Sequence, residues 1–156
     1  MILIDFSLEL YGKHRKVYKM KIYFAGSIRG GRDDAEIYSQ IIECLQGYGQ
    51  ILTEHVGEKD LNEMGESTLS DKQIHDRDIN WLLESDVMVA EVTNPSLGVG
   101  YEIGRAIEAG KKIFCLHRTL ANKKLSAMIA GSDRIINIEY KSISELKQKL
   151  KKSINN

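Results

Sequence analysis

The chain has 156 residues, with 22 lysines and arginines balanced by 22 aspartates and glutamates, and it contains a single proline. A chain of this length builds one globular domain around one core, so a multidomain protein is excluded. The zero formal net charge provides no overall field that would draw the protein onto a nucleic-acid polymer or an anionic membrane. We therefore expect neither of these partners, and we expect any bound anion to be held by local groups.

Neither the N-terminus nor the cysteines indicate export. Asp5 and Glu9 interrupt the apolar start of the chain, which fits neither a signal peptide nor a membrane span. Cys44 and Cys115 fall in apolar stretches, which is typical of buried thiols in a reducing compartment rather than of a disulfide framework. The sequence therefore predicts a cytoplasmic protein.

Short β-branched and aromatic runs alternate with longer helical periods along the chain, which is the pattern of βα units around a parallel sheet. In chain order we predict strands at residues 21–25, 50–54, 87–92, 113–116 and 134–138. The predicted helices begin near residue 33, at residue 71 behind a Ser70 N-cap, near residue 99 and near residue 142. The third strand is apolar on both faces apart from Glu91, as expected for a strand in the middle of a covered sheet.

These elements predict an α/β protein, namely a doubly wound, Rossmann- or flavodoxin-like three-layer sandwich with a five-stranded parallel sheet. Residues 21–156 form its single domain, and residues 1–20 form an N-terminal extension of uncertain role. In such sheets ligands bind beyond the carboxyl ends of the strands. The loops after the first three strands are therefore the places to look for chemistry.

The loop after the first strand, residues 26–32, reads GSIRGGR. It brings free backbone N–H groups, a hydroxyl and a guanidinium to the start of a helix, a combination that predicts a phosphate-binding loop. Its spacing matches neither the Walker A motif nor the dinucleotide-binding fingerprint. The alternative is a tight turn that needs glycine for its backbone angles, with Arg29 simply solvated.

The loop after the third strand opens a helix with Gly98, Gly100 and Gly104, which would let a ligand approach the first helical turn. The spacing is one residue off the dinucleotide fingerprint, so a nicotinamide cofactor is disfavoured. Glu102 lies in this helix, where the helix dipole would stabilise its anion and suit it to nucleophilic attack. The alternative is an acidic residue that only complements the dipole.

A second carboxylate, Asp78, lies on the preceding helix and shares a face with Trp81 at i, i+3 spacing. A carboxylate beside a tryptophan is desolvated and suited to proton transfer, whereas Asp76 and Arg77 are expected to face solvent or to pair with each other. A structural salt bridge is an equally good interpretation of Asp78. Two carboxylates in different environments are the minimum for displacement at the anomeric carbon of a sugar.

Four stretches, YFAGSIRGGR at 23–32, LTEHV at 52–56, AEVTNPSLGVGYE at 90–102 and LSAMI at 125–129, resemble the 2′-deoxynucleoside 5′-monophosphate N-glycosidases. These enzymes belong to the nucleoside 2-deoxyribosyltransferase superfamily. The resemblance implies hydrolysis of the N-glycosidic bond of a deoxynucleoside 5′-monophosphate to free base and 2-deoxyribose 5-phosphate, without a metal or other cofactor.

The resemblance also implies roles for individual residues. Glu102 matches the nucleophile that forms a covalent glycosyl intermediate, Asp78 the carboxylate that assists proton transfer, and Tyr23 a tyrosine that orients the nucleophile. Ser126 matches a serine that reaches the phosphate in the neighbouring subunit, which implies a homodimer with shared sites. The expected substrate contacts all fall within the four stretches: Ala25, Gly26, Ser27, Ile28, Arg29, Gly30, Gly31, His55, Ser96, Gly98, Gly100, Ser126 and Met128.

Two alternatives to hydrolysis stay open. In a deoxyribosyltransferase a second base, rather than water, would attack the intermediate. Arg29 and the phosphate-facing serines argue against this, because nucleoside transfer needs no 5′-phosphate site. The other alternative is a module that binds a nucleoside monophosphate without any chemistry.

Overall fold

The computed structural model describes residues 19–27, 34–53, 56, 68–119 and 123–154. Within these residues, five strands and five helices alternate along the chain. The strands are β1 (Met20–Ala25), β2 (Gly49–Ile51), β3 (Val87–Glu91), β4 (Lys112–Arg118) and β5 (Ile136–Tyr140). The helices are α1 (Ala35–Gln46), α2 (Asp71–Glu84), α3 (Leu97–Glu108), α4 (Ala127–Ala130) and α5 (Ile143–Ile154).

The strands form one sheet in the order β2-β1-β3-β4-β5, and every neighbouring pair is parallel. The chain winds outward from β1 to β2 and then crosses back to β3, so the winding direction reverses between β1 and β3. In a doubly wound sheet this reversal opens a crevice at the carboxyl edge. The predicted fold class is confirmed, as is the position of the third strand in the middle of the sheet.

The helices cover both faces of the sheet and form the outer layers of a three-layer sandwich. Since side chains alternate between faces along a strand, neighbouring residues of β1 enter different cores. Ile22 and Phe24 pack with α1 and α5, whereas Tyr23 and Ala25 pack with α2 and α3. The side of β1 that carries Tyr23 therefore faces the two helices that bear the predicted carboxylates.

Several elements begin or end at other residues than predicted because side chains hydrogen-bond to the backbone there. β2 ends at Ile51, and beyond it the Thr53 hydroxyl accepts from the Phe24 N–H at 2.9 Å and donates to the Phe24 carbonyl at 2.6 Å. α3 begins at Leu97 rather than near residue 99 because Ser96 caps it, accepting from the Val99 N–H at 3.4 Å. The short helix α4 was not predicted.

The predicted N-cap of α2 is confirmed. Ser70 caps α2 with a full capping box, in which Gln73 returns a hydrogen bond to the Ser70 backbone. Gly110, just after α3, has φ of 69°, a left-handed conformation that favours glycine. Capping and glycine signals depend on neighbouring residues only, so they can be recognised from sequence.

The first strand begins one residue earlier than predicted. Met20 already belongs to β1 and is paired with Gly49 of β2. The two backbones lie so close that a Cβ atom on Gly49 would be 2.2 Å from the Met20 carbonyl oxygen. Residues 1–18 of the predicted extension lie outside the described residues. Among the helices of the described part, none combines the length and apolarity needed to cross a bilayer.

Candidate active site

Tyr23 and Glu102 meet in the crevice between the sheet and α3. Tyr23 is almost fully buried on β1, and its hydroxyl donates to Glu102 Oε1 at 3.1 Å. Glu102 reaches this position because Ile103 and Ala106, its neighbours on α3, are buried against the sheet. The orientation predicted for Glu102, towards the crevice, is confirmed.

The charge of Glu102 is governed by burial. Desolvation raises the pKa of Glu102 to about 7; the Tyr23 hydrogen bond opposes this rise and the nearby Asp78 charge adds to it. From the sequence, the helix dipole was expected to keep this carboxylate firmly ionised. The structure corrects that expectation, because desolvation is the largest influence on this carboxyl group and favours its neutral form.

Asp78 lies on α2 and is held by its neighbour Arg77. Arg77 Nε donates to Asp78 Oδ1 at 2.9 Å and a terminal guanidinium nitrogen approaches the same oxygen at 2.8 Å. The guanidinium also lies 4.7 Å from the centre of the Trp81 ring. The expectation that Arg77 faces solvent or pairs with Asp76 is wrong, since Asp76 instead binds Lys72 and His75.

Electrostatic effects on Tyr23 show that these groups share one site. Burial, and next the charges of Glu102 and Asp78, raise the pKa of the Tyr23 hydroxyl far above its ordinary value, while Arg77 opposes the rise. A phenol in this setting stays protonated, so it acts as a hydrogen-bond donor. The three predicted catalytic residues are therefore brought together, with Arg77 as a fourth member that sequence reasoning did not assign to the site.

The phosphate loop begins at Gly26 and Ser27, directly after Ala25, the buried last residue of β1. A Cβ atom on Gly26 would lie 3.0 Å from the ring of Tyr38, whose hydroxyl accepts from the Ser27 N–H at 3.2 Å. Ser27 is fully buried, and its Oγ has no hydrogen-bond partner among the described residues. A buried hydroxyl without a hydrogen-bond partner is the exception in folded proteins.

A cavity of about 340 Å³ opens beside the start of α3 and contains several predicted substrate contacts. Ser96 and Gly100 line one side of it, and Ser126 and Met128 line the other. A Cβ atom on Gly100 would meet nothing within 4 Å, and one on Gly98 would meet only the Ser96 hydroxyl, at 3.8 Å. The first turn of α3 is therefore open to a ligand, as the glycine spacing predicted.

Five of the predicted contacts lie outside the described residues: Ile28, Arg29, Gly30, Gly31 and His55. The described part contains, in addition, a buried polar network that the sequence did not reveal, centred on Asp34. Its carboxylate binds Asn94 and Arg118, which lie 60 and 84 residues further along the chain. No local signal marks such a contact, because helix caps and spacing rules extend only a few residues.

Comparison with known proteins gives one consistent assignment. The sequence model of the nucleoside 2-deoxyribosyltransferase family matches residues 22–140. The 5-hydroxymethyl-dUMP N-hydrolase of Tetraodon nigroviridis is 58% identical over 115 residues, covering 73% of this chain and 81% of the relative. The enzyme of the same name from Danio rerio is 59% identical over 113 residues, covering 72% and 79% of the two chains.

A solved structure shares the fold. It is the CMP N-glycosidase BcmB of Clostridium botulinum, which superimposes with a TM-score of 0.59 at 20% sequence identity. The match covers 84% of this chain and 97% of the other. Taken with the match to the family over residues 22–140, these similarities show that this chain belongs to the nucleoside 2-deoxyribosyltransferase family.

Proposed function

We propose that this protein hydrolyses the N-glycosidic bond of 2′-deoxynucleoside 5′-monophosphates and releases the free base and 2-deoxyribose 5-phosphate. The observation that carries the proposal is the half-buried Glu102 carboxylate, bound by Tyr23 and influenced by the charge of Asp78. The names of the relatives support the same reaction. They also make 5-hydroxymethyl-dUMP a substrate to be tested first.

The reaction proceeds in two steps through a covalent intermediate on Glu102. Tyr23 engages Oε1, so Oε2 attacks C1′ of the deoxyribose while the bond from C1′ to the base nitrogen breaks. The electron pair of that bond goes to the base, which takes up a proton with the help of Asp78. Water then attacks C1′, gives up a proton, and releases Glu102 as a carboxylate. Two carboxylates with divided roles are the usual arrangement for retaining glycoside hydrolysis.

The 5′-phosphate binds at the carboxyl edge, at the three predicted serines. The orphaned Ser27 hydroxyl and the open first turn of α3 at Gly98 and Gly100 support this assignment. The helix N-terminus adds a favourable field for an anion. Arg29, Gly30 and the other predicted contacts of the first loop complete the site in this proposal, and His55 is a further expected substrate contact.

The enzyme acts as a homodimer in which Ser126 of each subunit reaches the phosphate in the other. Large apolar side chains support this arrangement: Leu97 is 96% exposed and Met128 is 83% exposed, and both line the same cavity as Ser126. Exposed apolar groups concentrated around a functional pocket are typical of an interaction surface. The two free cysteines fit the reducing cytoplasm that we propose as its location.

The first experiment follows base release from the four common deoxynucleoside 5′-monophosphates and 5-hydroxymethyl-dUMP, with the matching nucleosides and ribonucleotides as comparisons. Release from deoxynucleoside monophosphates alone is the expected result. Exchange with an added free base, without net hydrolysis, would instead identify a deoxyribosyltransferase, the activity for which the family is named. Binding without release or exchange would identify a nucleotide-binding module.

A Tyr23→Phe variant is expected to move the acidic limb of the kcat–pH profile to higher pH. The Tyr23 hydroxyl holds the pKa of Glu102 down against burial, so its loss raises the pH at which the nucleophile ionises. A hydrogen bond to a charged group contributes about 1.5 kcal/mol or more, which corresponds to a shift of about 1 pH unit. The loss of activity is therefore larger at pH 6 than at pH 9.

Tyr101→Phe is the matched control, because the Tyr101 hydroxyl contacts His75 and Arg105 rather than Glu102. We expect its pH profile to follow that of the wild-type protein. An acidic limb that stays in place in Tyr23→Phe would contradict the role given to the Tyr23 hydrogen bond.

A Leu97→Asp variant is expected to dissociate the dimer and to lose activity at the same time. A charge at this position would have to be desolvated in the proposed interface, which costs free energy. The subunits then dissociate, and Ser126 no longer reaches the neighbouring site. Sedimentation velocity measures the assembly, and base release measures the activity. Leu83→Asp is the control, since Leu83 is also an exposed leucine but does not line the cavity. A monomeric and fully active wild-type protein would refute the shared site.

A further inference from the structure

A buried polar network joins three segments that are far apart in the chain. Asp34 is 5% exposed and occupies the N-cap position of α1. An aspartate at this position normally accepts from the first turn of its own helix, yet the Asp34 side chain makes no such bond. Its Oδ1 accepts from Arg118 and its Oδ2 accepts from Asn94 Nδ2 at 2.6 Å. The Asp34 carboxylate therefore makes two long-range contacts and no helix-capping hydrogen bond.

Each partner of Asp34 belongs to a segment at the carboxyl edge of the sheet. Arg118 is the last residue of β4, and its N–H is held by the Thr93 hydroxyl at 2.7 Å. Asn94 follows β3 and accepts from Lys123 Nζ through its own side-chain oxygen. The network thus connects the start of α1, the loop between β3 and α3, and the segment between β4 and α4.

These connections lead to the three serines proposed to contact the 5′-phosphate. Tyr38, one helical turn after Asp34, accepts from the Ser27 N–H and packs its ring against Gly26. Ser96 lies two residues after Asn94, and Ser126 lies three residues after Lys123. A movement of the Asp34 contacts would therefore shift all three hydroxyls relative to one another.

We propose that Asp34, with Asn94 and Arg118 bound to its two carboxylate oxygens, is a positioning residue that sets the spacing of Ser27, Ser96 and Ser126 around the phosphate. The inference rests on the proposed function, because the phosphate site belongs to it. A positioning role predicts weaker affinity for the phosphate. A purely structural role predicts fewer folded molecules with unchanged affinity. The two roles can therefore be separated by measuring affinity and the number of binding sites independently.

The test measures binding by calorimetry in a Glu102→Gln background, which does not require turnover. The probe is 2-deoxyribose 5-phosphate, and 2-deoxyribose is the phosphate-free comparison. Asp34→Asn is expected to weaken binding of the sugar phosphate by about 10- to 100-fold, the loss expected when a hydrogen bond to a charged phosphate is broken. Binding of 2-deoxyribose and the number of binding sites per mole of total protein are expected to stay the same.

Two further variants keep the test decisive if Asp34→Asn folds poorly. Asn94→Ala leaves the Asp34–Arg118 contact in place and is expected to weaken phosphate binding in the same direction, to a smaller extent. Leu150→Ala makes a cavity in the core beneath α5, away from the network, and controls for lost stability. It is expected to lower the melting temperature without changing the affinity.

Two results would overturn the inference. One is an unchanged affinity for 2-deoxyribose 5-phosphate in both Asp34→Asn and Asn94→Ala. The other is an equal loss of affinity in Leu150→Ala. Base release by the wild-type protein is measured in parallel and reports on the proposed function alone. Release with unchanged affinities in the variants would remove the positioning role and leave the hydrolase assignment intact.

Discussion

Glu102→Gln is expected to lower base release by at least about 10³-fold, the scale of loss when a nucleophile is removed. The amide keeps the size of the side chain and can still accept the Tyr23 hydrogen bond, but it cannot attack the anomeric carbon. Steady-state kinetics on the best deoxynucleoside 5′-monophosphate checks this. Mass spectrometry of rapidly quenched wild-type enzyme is expected to reveal a deoxyribose phosphate adduct on Glu102, absent from the variant.

The same variant provides its own control for folding. The unfolded chain ionises Glu102 near pH 4.5, whereas burial raises the pKa of this group to about 7 in the folded protein. The folded state is therefore penalised increasingly as the pH rises from 4.5 to about 7, and the penalty then stays constant. Glutamine has no charge and removes this penalty. The free energy of unfolding of the variant is therefore expected to exceed that of the wild-type protein at pH 8 by on the order of 3 kcal/mol, and to equal it near pH 4.

Thermal unfolding at pH 8 and at pH 4 measures this difference. Retained activity in Glu102→Gln would contradict the nucleophilic role. A drop in stability at pH 8 would contradict the electrostatic argument, because a buried anion would then be stabilised rather than penalised.

Asp78→Asn is expected to lower kcat by about 10²- to 10⁴-fold, the range found for removal of a general acid or base. Asparagine keeps the shape and retains an oxygen for Arg77, whose guanidinium lies 2.8 Å from the aspartate oxygen, but it does not transfer a proton. The loss is expected to be largest for bases that need protonation to leave. Comparison of kcat for substrates whose bases differ in basicity measures this dependence.

Asp76→Asn is the control for Asp78→Asn. It lies on the same helix two residues earlier, but it is paired with Lys72 and His75 on the exposed face. Its activity is expected to match that of the wild-type protein. If Asp78→Asn lowers kcat by the same factor for every substrate, the role of Asp78 would be restricted to binding the sugar.

The alternation of strands and helices and the caps of the helices could be predicted, because they depend on residues within a few positions of one another. The apolar run of β3 and the Ser70 capping box are examples. The end of β2 could not be predicted, because the Thr53 side chain takes over the pairing with Phe24, a residue 29 positions away. The early start of α3 follows from the Ser96 cap, a local signal that the glycines after it obscured.

In the candidate active site too, some features could be predicted from the sequence and others depend on the folded structure. Tyr23, Asp78 and Glu102 could be proposed as the chemical groups, since the resemblance to a known family assigns a role to each of them. The partner of Asp78 was not predicted, because adjacent residues on a helix point in different directions and only the structure shows the Arg77 guanidinium turned towards Asp78 and Trp81. The Asp34 contacts with Asn94 and Arg118 depend on three segments that meet only in the folded protein.

The sequence by itself determined the α/β alternation and the glycine-rich approach to α3, and it supplied two candidate carboxylates. The tertiary structure alone decided the charge state of Glu102 and the partners of Asp78 and Asp34. The physical reason is that helix propensity, capping and side-chain periodicity act over a few residues, whereas desolvation and ion pairing depend on everything packed around a group. For Glu102 the largest influence on the pKa is desolvation by the groups packed around it in the folded protein.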